Sequence, residues 1–115
     1  MKEIKSKYMV AVVANQAMAK VKEAIKPFNR RKDYNIVLHK GYDGNFRVVY
    51  VFQKDGIFCD PVVKEITKAL DSLRERYGSN VYSGFRRINN EILIDNNPND
   101  IAFYVQVSKT YAPSK

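Results

Sequence analysis

Apolar positions open the chain as a nearly unbroken run, YMVAVVA at residues 8–14. A short, valine-rich run of this kind predicts a buried central strand. Asn15 then stands where it can cap a helix, and Met18, Val21, Ile25 and Phe28 recur every three or four residues as one buried stripe. Pro27 marks the last turn, because its ring clashes with the preceding turn of a continuing helix. YNIVLHK (34–40) and FRVVYVFQ (46–53) have strand character, and the GYDGN turn between them predicts a hairpin. Residues 61–77 carry Val62, Ile66, Ala69, Leu70, Leu73 and Tyr77 on one face, with Asp60 and Pro61 opening the helix and Gly78 closing it. The last third predicts a meander of VYSGFRRI, EILID and IAFYVQVSK, with Asn89-Asn90 as a tight turn.

This order predicts an α+β, two-layer sandwich. Its core is the ferredoxin-like β-α-β-β-α-β pattern, with an extra C-terminal strand and a mainly antiparallel sheet. Residues 1–115 are expected to form one domain, with 1–7 as a basic arm and 110–115 as a frayed tail.

FRVVYVFQ has a basic-then-aromatic texture, which prompts comparison with the RNA-recognition signature. Aligned from Arg47, the positions for stacking aromatics hold Val49 and Val51, while Tyr50 and Phe52 fall one residue out of phase. Strand periodicity is two, so the rings point the other way. Arg47 and Gln53 prefer water. That assigns Phe46, Val48, Tyr50 and Phe52 to the core, with Tyr34, Ile36 and Leu38 and with Ile101, Phe103, Val105 and Val107. The open face then presents Val37, Val49 and Val51 as an apolar strip with Tyr104 nearby, and such a strip predicts a protein interface or homodimer.

Charge changes the picture more than composition does. The chain carries 20 Lys/Arg against 12 Asp/Glu, a net +8, and residues 1–47 hold 11 of the basic residues against 4 acidic ones. A clustered excess steers polyanions. Lys5 and Lys7 lie in the leading segment and Arg30, Arg31 and Lys32 follow the first helix. Arg86 and Arg87 sit beside Tyr82 and Phe85, a combination suited to base stacking. These seven basic residues are the candidate nucleic-acid contacts, and phosphate contacts of this kind carry no base specificity.

Chemistry beyond binding is sparse. His39 and Cys59 are each the single residue of their type, so no His/Cys metal cluster is expected within one chain and no intrachain disulfide can form. Neither glycine turn matches a phosphate-binding fingerprint. The expectation is a non-enzymatic, cofactor-free cytoplasmic protein that binds nucleic acid, with no membrane partner. The alternative is a protein-binding inhibitor, adaptor or structural subunit acting through the valine strip.

Overall fold

The computed structural model describes residues 3–30, 32–41, 43–53, 60–87 and 101–110. Helix α1 (Lys7–Ile25) leads to strands β1 (Tyr34–Lys40) and β2 (Phe46–Gln53). Helix α2 (Asp60–Tyr77) and a 3-10 turn (Gly78–Asn80) lead to strands β3 (Val81–Arg87) and β4 (Ile101–Ser108). The strands form one antiparallel sheet in the order β1-β2-β4-β3, with both helices packed into the same core on one face. The fold is thus α+β with two layers. Among the described residues the element order is α-β-β-α-β-β, and the ferredoxin-like core with an added strand is not what forms. The predicted EILID segment and the Asn89-Asn90 turn lie outside the described residues.

The difference begins at residues 8–14, predicted as a strand and found as the first turns of α1. Val10, Val13, Ala14, Ala17, Val21 and Ile25 are the buried positions of this helix. That is a three-to-four spacing sustained for about four turns, and it decides the conformation over the strand preference of single valines. Ser6, not Asn15, is the cap: its Oγ accepts from the Met9 N–H at 3.1 Å. Asn15 is exposed in mid-helix, and Phe28 falls beyond the helix end at 37% exposure.

Helix α2 forms where its pattern predicts, with Val62, Ile66, Leu70, Leu73 and Tyr77 buried. The hairpin also forms as predicted, β1 pairing β2 with Val37 opposite Tyr50 and Leu38 opposite Val49. Its turn closes through Gly44 at φ 77°, and the Gly44 N–H donates to the Gly41 carbonyl at 3.1 Å. A positive φ of that size is cheap only for glycine.

Near its start the described chain is tied to its other end. Ile4 is fully buried, its N–H donates to Thr110 Oγ1 at 3.1 Å, and the Thr110 N–H returns a bond to the Ile4 carbonyl at 2.7 Å. Asn80 joins them: its Nδ2 donates to the Ser108 carbonyl and to Thr110 Oγ1. The start of the predicted tail, Thr110, is therefore tied down, while residues 111–115 lie outside the described residues.

Strand β2 is buried on both sides. Val49 and Val51 are fully buried in the main core beneath the helices, with Val105 and Phe103 opposite them on β4. Val48, Tyr50, Phe52 and Ala102 make a second apolar cluster on the other sheet face, against which Val37, Phe46 and Tyr104 pack. This reverses the predicted facing of β2, while β1 and β4 face as expected. Arg47 and Gln53 misled because both are half-buried residues at the strand ends and do not fix the phase of the buried residues between them. Tyr50 and Phe52 are buried as predicted, but opposite the helices.

Candidate functional site

The valine strip does not exist as a surface. Val49 and Val51 are under the helices, so of the four candidate interface residues only Val37 and Tyr104 lie on the outer sheet face, both partly buried. Tyr104 packs over Gly84 of β3, where an added Cβ would come into van der Waals contact with its ring at 3.4 Å.

The basic residues divide among three places. Lys5 is exposed and pairs with Glu3 at 3.5 Å, the one ion pair among the described residues. Lys7 starts α1, and its side chain lies over the hairpin turn, its Cδ 3.2 Å from where a Gly44 Cβ would stand. That turn also holds Asp43, whose carboxylate accepts the Asn45 backbone N–H at 2.9 Å and the Asn45 side-chain amide at 2.7 Å. Those two bonds, with a lesser contribution from the Lys7 charge, hold the Asp43 carboxyl below the usual aspartate range.

Arg30 and Lys32 lie at the other end of α1. A 19-residue helix separates them from Lys7, roughly 28 Å at 1.5 Å per residue. Arg86 is on β3, at the opposite edge of the sheet from β1, and its Nη1 donates to Tyr50 Oη at 3.4 Å. Arg31 and the side chain of Arg87 lie outside the described residues. The stacking platform expected beside them is divided by the strand: Tyr82 meets Tyr104, while Phe85, itself exposed, meets the core residue Phe103. Among the described residues, Lys7, Arg30 with Lys32, and Arg86 stand in three separate places.

One of them does reach a formed site. Between the end of α1 and the β1 edge is a groove of about 400 Å³, with Lys22, Lys26 and Lys32 among its walls and Ile25, Tyr34 and Ile36 as its apolar lining. The helix places the first two, because residues four apart share a face with Cβ atoms about 5–6 Å from each other. The loop places the third. Asn29 organises it, accepting the Tyr34 N–H on Oδ1 at 3.1 Å and the Lys32 N–H on its carbonyl at 3.2 Å. Lys32 pays for this turn with φ 55°, a left-handed backbone that costs a side-chain-bearing residue about 1–2 kcal/mol.

All three lysines are exposed. Together they line one side of the groove near the C-terminal end of α1. Such an arrangement favours an anion in the cleft. Lys22 and Lys26 do not stand out in a search for consecutive basic residues. Their signal is the four-residue spacing beside Ile25, read together with a basic loop immediately after the helix.

His39 is exposed on β1, its ring centroid 6.4 Å from that of Tyr50, and Cys59 lies outside the described residues. Among the described residues no three His, Cys, Asp or Glu side chains are grouped to hold a metal ion. No helix among them is long and apolar enough to cross a membrane. No family model, curated protein or solved structure matches this chain.

Proposed function

We propose that this chain is a small, non-enzymatic nucleic-acid-binding protein that holds the phosphate backbone at the groove between α1 and β1. The observation that carries the proposal is the convergence of Lys22, Lys26 and Lys32 on one groove of a chain with net charge +8. Arg30, exposed in the same turn, adds to the local potential. Phosphates bound at the lysines release condensed counterions, an entropic gain that falls as salt rises.

The test is a salt series of binding measurements on the wild type and on Lys22→Ala/Lys26→Ala/Lys32→Ala. If each lysine meets one phosphate, the slope of log affinity against log salt should become shallower by about 2–3 units, depending on strand type. Lys5→Ala/Lys7→Ala, at the far end of α1, should change it far less. No measurable affinity for DNA or RNA at low salt, or equal loss from both variants, rejects the proposal.

A protein partner or second copy at the β3 edge is the competing possibility. Its support is that Tyr82 and Phe85 are 41% and 54% exposed on a strand with a described neighbour on one side only. Association there would tolerate salt and be abolished by Phe85→Lys. The basic groove is favoured because its charged groups and its concavity point to one class of ligand.

A further inference from the structure

We infer that the groove takes single-stranded rather than duplex nucleic acid, with phosphates on the lysines and an unpaired base laid on apolar surface that includes Phe28. This rests on the nucleic-acid proposal above and narrows its ligand. The groove has two chemistries. Its charge comes from Lys22, Lys26 and Lys32, while half-buried Ile36 is the apolar lining most open to a ligand, Tyr34 and Ile25 being 8% and 2% exposed. A duplex offers phosphates and base edges to a surface but keeps its base faces stacked, so an apolar lining gives it nothing. A single strand can present a base face and its phosphate together.

Phe28 supplies the second, independent observation. It is a large apolar side chain left 37% exposed by a turn that it shares with Lys26, Asn29 and Arg30. Its N–H donates to the Ile25 carbonyl at 2.9 Å, closing the turn in which Phe28 stands between Lys26 and Asn29, two residues of the groove wall. Aromatic rings beside cationic side chains are the usual platform for unstacked bases, and every base has a face to offer. Asn35, also on the groove wall, carries both a donor and an acceptor for a base edge.

The experiment uses Phe28→Trp, which gives the chain its only tryptophan. The probes are a single-stranded oligothymidylate, a single-stranded oligouridylate and a blunt DNA duplex of matched length, each titrated at low salt. The expected result is quenching of the tryptophan by single strands and at least tenfold tighter binding of them than of the duplex. Phe28→Ala should weaken single-strand binding by roughly 5- to 150-fold, the range of one lost base stack, and leave the salt slope unchanged. Because the side chain is partly exposed, circular dichroism should report an unchanged fold.

Lysine-dependent binding that is equal or tighter for the duplex, or that is indifferent to Phe28→Ala, overturns this inference while leaving the nucleic-acid proposal standing. Absence of binding to all three probes by the wild type overturns both.

Discussion

Val49 is the residue at which the facing of the sheet is most directly testable. It is fully buried, opposite Leu38 on β1 and Val105 on β4, in the cluster beneath the helices. Val49→Ala removes two methyl groups, which forfeits about 1.6 kcal/mol of transfer free energy. The void they leave adds roughly another 1 kcal/mol where the neighbours do not collapse into it. The expected loss is therefore about 2–3 kcal/mol, or roughly 10 °C in Tm for a domain of this size. Val49→Lys should be far worse, because the amine must enter a dry site either charged or deprotonated, at a cost of several kcal/mol. That is comparable with the whole stability of a small domain, about 5–15 kcal/mol, so this variant should be largely unfolded. Thermal and urea unfolding followed by circular dichroism measure both, with His39→Lys on the exposed part of β1 as a control expected within about 0.5 kcal/mol. A folded Val49→Lys protein with near-wild-type Tm would refute the facing and return Val49 to the surface.

Three further outcomes are expected. Lys32→Gly relieves the left-handed backbone at φ 55° but frees the unfolded chain, so stability should hold or rise by up to about 1 kcal/mol while nucleic-acid binding weakens; a fall in Tm beyond a few degrees contradicts it. Asn80→Ala leaves the Ser108 carbonyl and Thr110 Oγ1 without the donor that joins them. It should cost about 1–3 kcal/mol in urea unfolding, with faster hydrogen exchange at Ile4 and Thr110 as the local sign. The Asp43 carboxyl is held low chiefly by Asn45, so its folded pKa lies below its unfolded one. Its contribution to stability is present above the unfolded value and disappears as pH falls through the folded one. An NMR titration should place its midpoint below that of an unfolded reference peptide, and a midpoint at or above the reference removes the effect.

The sequence by itself determined those parts of this protein in which one periodicity stands alone. Helix α2 has a single apolar stripe bounded by Asp60-Pro61 and Gly78, and the β1–β2 hairpin has two strand-like runs around a glycine turn; both form where the pattern puts them. Residues 8–14 admit two answers, because a seven-residue valine-rich run fits a buried strand as well as the start of a helix. The tie is broken only by the longer stripe from Val10 to Ile25 and by the packing of that stripe on β2 and β4. The facing of β2 was likewise beyond local pattern. Val48 to Phe52 are all buried, and a strand covered on both sides has no polar phase to read. Its register against Leu38 and Val105 settles which valines lie beneath the helices. The groove is a tertiary product too. Lys22 and Lys26 are ten and six residues from Lys32 in the chain, and become its neighbours only because α1 turns back at Asn29 to lay β1 alongside it. Charge is written in the sequence, but where the charges meet depends on which elements the core holds together.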